Sequence, residues 1–234
     1  MSLTRNDNTG VVEALVFDFD GLILDTEYPI YQAWQECYEA HGRHLALEVY
    51  CECVGSDFGR FDPVSHLEEA HGGDIDWDFW DEKREARVRE IVNHLPPMPG
   101  VAERLAEARK AGLPCVVASS SPRSWVEPHL ERLGLRHFFE FTKCREDVAE
   151  PKPAPDLFSA AIEGLGVAPS RALVFEDSLN GLKASLAAGI PCVVVPNRVT
   201  GHLVFSGSVL RLGSFAEVSL AEIITLASGE PPNS

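Results

Sequence analysis

No apolar run in this chain approaches the roughly 20 residues that a membrane-spanning helix requires, and the opening stretch MSLTRNDNTG lacks the apolar centre of a secretory signal. The expected partners therefore exclude the membrane, and the expected location is the cytoplasm. Positive charge is equally scarce. Lys and Arg number 20 against 36 Asp and Glu, a net charge of -16, so a nucleic-acid backbone would be repelled rather than neutralised. An anionic ligand would need a few local cations, backbone N–H groups or a bound metal to hold it. Paired cysteines are missing too. Cys37, Cys51, Cys53, Cys115, Cys144 and Cys192 are scattered, and the CEC at 51–53 has no second pair at zinc-finger spacing. They read as reduced thiols rather than a disulfide framework.

What is present suits an ordinary globular protein. A chain of 234 residues, 45% hydrophobic and 24% charged, can bury one domain carrying an insertion, or two domains. Apolar runs bounded by turn residues occur at EALVFDF (13–19), LPCVVASS (113–120), RALVFED (171–177) and IPCVVVP (190–196). Continuous rather than alternating hydrophobicity predicts strands buried on both faces, as in a parallel sheet covered by helices. Helix-period segments lie between them, including VAERLAEARKAG, WVEPHLERLG, PDLFSAAIEGLG and NGLKASLAAG, each ending in a glycine suited to a C-cap. The alternation predicts an α/β fold with a doubly wound parallel sheet.

One segment breaks the rhythm. Residues 28–95 carry no convincing buried strand but show helical patterns near 28–42, 62–71 and 78–94, with Trp34, Trp77 and Trp80. They read as a small helical insertion directly after the first strand, closed by the stiff LPPMPG, with residues 1–27 and 96–234 forming the α/β core. Such an insertion would sit over the carboxyl ends of the strands, where ligands bind in open α/β sheets. The tail GEPPNS is expected to be disordered.

The strand ends carry the chemistry. The first run stops at Asp18 and Asp20, followed at once by Gly21; the second at Ser119, Ser120 and Ser121; the run at 171–177 in Glu176 and Asp177. Lys152 stands in AEPKPAPDLF before a helix. A single carboxylate at a strand end is most simply a cap or turn former. Several polar ends on one sheet edge are less simply dismissed. Residues two apart on an extended strand face the same way, so Asp18 and Asp20 can address one substrate.

DFDGLILDTE, ASSSP, PKPAPDLF and FEDSLNGLKASLAAGIP, in this order, resemble the four motifs of the haloacid dehalogenase superfamily, in particular its phosphatases and β-phosphoglucomutase-like members with a helical cap. The resemblance spans about residues 12–215. It implies that Asp18 is the nucleophile, forming an aspartyl-phosphate, and that Asp20 is the general acid and base. It implies Mg²⁺ held by Asp18, the Asp20 carbonyl and Asp177, with Glu176 binding directly or from behind. Ser119 and Lys152 would meet the transferring phosphoryl group, with Ser120 and the Phe19, Asp20 and Gly21 backbone completing its cradle. Asp25 is read as structural. In the cap, Tyr28, Asp57 and Arg60 are the expected substrate contacts, with Tyr31 and Trp34 as further candidate walls.

The same resemblance narrows the reaction. Dehalogenases of the family lack the second aspartate, and Asp20 is present. Phosphonatases use a cap lysine, and residues 28–82 contain none. The mutases carry a histidine soon after the DT of the first motif and a cap-loop arginine; alignment places Ile30 at the first position, and Arg60 is displaced from the second. The expectation is a Mg²⁺-dependent hydrolase of a small phosphorylated metabolite, such as a sugar or polyol phosphate, acting as a monomer or weak dimer. A phosphomutase is the rival reaction. A phosphate-binding regulatory protein is the alternative of another class, marked by loss of residues that are intact here.

Overall fold

The computed structural model describes residues 11–53 and 61–229. Its order is β1 (Ala14–Phe17), α1 (Glu27–Ala40), α2 (Leu47–Tyr50), α3 (Pro63–His71), α4 (Trp77–Val92), α5 (Val101–Ala111), β2 (Cys115–Ala118), α6 (Arg123–Arg132), β3 (Phe139–Lys143), α7 (Asp156–Leu165), β4 (Ala172–Glu176), α8 (Leu179–Ala187), β5 (Cys192–Val194), β6 (Leu210–Arg211) and α9 (Leu220–Ala227). The strands form one sheet in the order β3-β2-β1-β4-β5-β6, and every pairing is parallel. The strand order reverses at β1, between β2 and β4. That reversal opens a crevice beyond the carboxyl ends of the strands.

The apolar runs are continuous because both faces of the sheet are covered. Leu15 and Phe17 of β1 pack with Leu105, Val126 and Ile223 on one side, whereas Val16 packs with Leu157, Phe158 and Leu182 on the other. All four residues of β1 and of β2 are buried. The sequence reading missed β3 and β6. Both are edge strands: β3, FEFTK, mixes polar with apolar residues and is only partly buried, and β6 is two residues long, so neither presents a solid apolar run.

The segment between β1 and α5 is helical and has its own core. Tyr31, Trp34, Cys37, Tyr38, Leu45, Tyr50 and Leu67 are buried together, joined by Val199 from the region after β5. The Arg84 guanidinium stacks 3.5 Å from the Trp34 ring. The segment returns through Leu95–Pro99, where the Met98 N–H donates to Ile23 O at 2.8 Å. Arg132 of α6 also donates to Val92 O and Leu95 O at 3.1 and 2.9 Å, tying the end of α4 to the sheet-bearing half. Of the CEC cysteines, Cys51 is a buried free thiol and the Cys53 side chain lies outside the described residues; the metal-competent cluster found among the described residues lies elsewhere. No described helix is long and apolar enough to cross a membrane. The end of the GEPPNS tail lies outside the described residues.

Phe175 joins the strands beneath the site, its ring 4.8 Å from Phe17 and 5.1 Å from Phe215. Phe175→Ala should cost about 3–5 kcal/mol in urea unfolding; a loss below about 1 kcal/mol would show that this layer does not carry the sheet.

Candidate active site

β1 runs buried to Phe17, and the chain then leaves the sheet. Asp18 N–H still donates to Phe175 O at 3.0 Å, so the Asp18 backbone is fixed by the ladder just before the strand ends. The next residues fold into a tight loop, with Gly21 N–H on Leu24 O at 2.8 Å and Ile23 N–H on Phe19 O at 2.9 Å. Gly21 has φ +79°, and a Cβ there would lie 2.3 Å from Asp177 Oδ2. Only glycine meets both the left-handed backbone and the close approach.

β4 brings Glu176 and Asp177 beside Asp18, and each of the three offers an oxygen within 4.8 Å of the others. All three are buried. Lys152, its side chain 5% exposed, is bonded to Asp18 Oδ1 and lies 2.6 Å from Glu176 Oε1. Burial alone would depress the Lys152 amine, but Asp18 and Glu176 outweigh it and hold its pKa above the ordinary lysine range. Burial followed by the neighbouring Glu176 charge raises the Asp18 and Asp177 carboxyls well above theirs. Counted as ions, three carboxylates face one ammonium, an excess of two negative charges in a buried space.

Glu176 is fully taken. Its Oε1 meets Lys152, and its Oε2 accepts from Asp177 N–H, Ser178 N–H and Ser178 Oγ at 3.0, 3.1 and 3.0 Å. It is thereby an anchor for Lys152 and for the turn into α8. Gly181 of α8 lies against it so closely that a Cβ would fall 1.8 Å from its carboxylate. Asp177 keeps one strong partner, Asn197 Nδ2 at 2.7 Å, which also reaches Gly21 O at 3.3 Å.

Across the crevice, β2 delivers the serines. Ser119 N–H donates to Lys143 O at 2.9 Å as the β2–β3 ladder closes. The hydroxyls of Ser119 and Ser121 both point to Asp20 Oδ2, at 3.2 and 2.7 Å, while Trp125 Nε1 donates to Asp20 Oδ1 at 2.9 Å. Ser120 Oγ accepts from Lys152 N–H at 3.3 Å, linking the serine loop to the lysine loop. Asp18, Asp20, Ser119, Ser120, Lys152 and Asp177 thus line one cavity of about 610 Å³. Phe19 is wholly buried behind them.

The helical segment contributes differently from expectation. Its side of the cavity is built by Glu27, Ile30 and Val88. Tyr28 does not line it: that ring packs 5.5 Å from Tyr31 and lies under the Arg198 guanidinium at 4.0 Å. Tyr31 is core, its hydroxyl spent on Leu45 O, and Trp34 is buried beneath Arg84. Asp57 and Arg60 lie outside the described residues. Asp25 behaves as read, accepting from Tyr28 N–H at 3.1 Å. The sequence reading passed over Glu27, Asn197 and Trp125. Asn197 follows a buried strand as surely as Asp18 does, and Glu27 directly follows the DT, so both carried a signal; Trp125 stood out only as the tryptophan outside the helical segment.

Residues 15–195 match the family described as Haloacid dehalogenase-like hydrolase. The chain belongs to that family. It is 42% identical over 214 residues to YhcW of Bacillus subtilis (strain 168), covering 92% of this chain and 97% of that one. It is 32% identical to Fructose-1-phosphate phosphatase YqaB of Escherichia coli (strain K12), covering 77% and 95%. A crystal structure of a family hydrolase from Deinococcus radiodurans R1 with bound phosphate and sodium superposes with a TM-score of 0.75 at 30% identity, covering 95% and 99%.

Glu27 supplies a test of the cavity's electrostatics. Burial, then the charges of Asp20 and Asp25, push its carboxyl up to about 7. A carboxyl raised in the folded state holds its proton there but not in the unfolded chain between the ordinary value of about 4.3 and 7, so its contribution to stability is lost as pH rises through that window. Glu27→Gln should therefore raise the Tm relative to wild type more at pH 8 than at pH 5, and a difference independent of pH would contradict the placement.

Proposed function

We propose that this family member is a Mg²⁺-dependent phosphomonoester hydrolase acting through an aspartyl-phosphate on Asp18. The observation that carries the reading is the buried excess of negative charge around Asp18, Glu176 and Asp177, held open to a cavity that also presents Lys152 and Ser119.

A hard divalent cation fits that donor set. The ligands are oxygens, the charge excess is two, and Mg²⁺ keeps several waters where few carboxylates are offered. Asp18, Asp177 and the Asp20 carbonyl would hold it, and when bound it would neutralise the carboxylates and draw a phosphate dianion in. Glu176, with four donors already on its two oxygens, supports the site from behind.

In the first half-reaction an Asp18 oxygen attacks phosphorus as the ester P–O bond breaks, and the Asp20 proton goes to the departing oxygen, releasing the alcohol. In the second, Asp20, now a carboxylate, takes a proton from water whose oxygen attacks the same phosphorus. The Asp18–phosphorus bond breaks, and inorganic phosphate leaves with both aspartates restored. Lys152, Ser119 and the Gly21 loop meet the equatorial oxygens, where charge is spread in the transition state.

Hydrolysis is favoured over phosphomutase chemistry by Ile30, an apolar residue on the cavity wall where the mutases place a histidine. The substrate is a small phosphorylated sugar or polyol, in keeping with the substrate that YqaB's name carries. Residues 28–95 act as the cap that selects it, a cytoplasmic setting suits such a metabolite, and a monomer or weak dimer is the expected assembly. With Mg²⁺ the protein should release phosphate from a panel that includes fructose 1-phosphate and β-glucose 1-phosphate, and Asp18→Asn should lower the rate by at least about 10³-fold with the fold intact. Chelation should silence it and Mg²⁺ restore it. Isomerised sugar phosphate in place of released phosphate would decide for the mutase, and binding without turnover for the regulatory role.

A further inference from the structure

Asp20 must point one way to protonate an ester oxygen and, moments later, the same way to deprotonate water, yet it stands on a loop beyond the end of its strand. Its orientation is set from a single place. Among the described residues, three groups donate to its carboxylate, and all come from residues 119–125, the loop leaving β2 and the first turn of α6. Two are serine hydroxyls, which rotate freely and can donate or accept. In the proposed mechanism Ser119 turns to the phosphoryl group, so its bond to Asp20 is surrendered when substrate arrives.

Trp125 differs on each count. An indole N–H donates only, in the plane of a rigid ring. The ring is packed edge-to-face on His129 with centroids 4.4 Å apart, and buried His129 lies 6.3 Å from Phe19 and stacked on it, the residue between the two aspartates. Tryptophan, histidine and phenylalanine thus form a wedge that ties the frame of α6 to the backbone carrying Asp18 and Asp20.

We infer that Trp125 is a positioning residue for proton transfer: its indole N–H fixes Asp20 Oδ1 throughout the cycle, leaving Oδ2 to carry the proton to the leaving oxygen. This rests on the phosphatase reading above. Trp125 also borders the cavity, so a variant should keep an aromatic ring while removing the N–H. Trp125→Phe does so with a smaller ring, and the comparison of two esters below separates the lost volume from the lost N–H.

Two measurements separate the outcomes. In proton–nitrogen correlation spectra, four tryptophans give four indole signals, and the one absent from Trp125→Phe identifies Trp125. Asp20→Ala should move that signal and leave the other three; an unmoved signal overturns the contact whether or not any ester is turned over. The kinetic measurement compares kcat/KM, which reports steps up to loss of the leaving group, on an alkyl phosphomonoester and on p-nitrophenyl phosphate. The alkoxide must be protonated as it leaves, whereas p-nitrophenolate departs without a proton. Trp125→Phe should lower kcat/KM about tenfold on the alkyl ester and less than about twofold on the aryl ester. Equal losses on both would mark the tryptophan as packing alone, and no loss on either would overturn its role. A wild-type protein inert toward both esters would contradict the phosphatase reading, and the indole signal would still decide the contact.

Discussion

Three buried carboxylates around a single ammonium are the constraint on which the rest of this structure depends. Removing ions from water costs several kcal/mol each, and one lysine cannot offset three acids. A fold built for stability alone would place apolar residues there. Instead the chain spends four donors on Glu176, one asparagine on Asp177 and a left-handed glycine at position 21 to keep the acids packed and oriented. Such an arrangement holds electrostatic strain that, on the proposed function, a divalent cation would relieve, and that relief would become affinity for the metal and, through it, for a phosphate dianion.

The sheet makes this tolerable. β1 and β4 are paired through four residues, from Ala14 with Ala172 to Phe17 with Phe175, and the acids begin where that register ends. A buried parallel ladder sets their backbone positions to within the stiffness of the core, so little has to move when charge develops during phosphoryl transfer. The group proposed to transfer the proton is held differently. Asp20 sits on a loop, and its carboxylate accepts from Trp125 of α6. The cavity wall opposite is supplied by α1 and α4: Ile30 packs against the cluster within the helical segment and Val88 against the sheet-side core.

Much of this was legible in the chain, for physical reasons. β1, β2, β4 and β5 are covered on both faces and so appear as solid apolar runs, and their terminal carboxylates and serines are conspicuous against them. Lys152 was legible only through the motif around it, since a lysine between prolines also reads as surface, whereas its side chain is 5% exposed. The edge strands were not legible because one flank of each faces solvent. Trp125 escaped because its partner stands 105 residues away, a distance across which composition and periodicity say nothing. The aromatic residues of the helical segment were ambiguous for the opposite reason: Tyr28 and Tyr31 read in sequence either as ligand walls or as core, and in the structure they pack on each other and on the small core of that segment.

The central claim is that Asp18 is a covalent relay and not merely one ligand of an ionic cluster. The most direct test is the intact mass of Asp20→Asn after brief exposure to p-nitrophenyl phosphate, whose leaving group needs no proton from Asp20, and Mg²⁺, followed by peptide mapping of the acid-quenched protein. The account predicts a gain of one phosphoryl group on the peptide carrying Asp18, because the second half-reaction has lost its base. Phosphate found on any other residue, or undiminished phosphate release by this variant with no phosphorylated protein at any time, would contradict it.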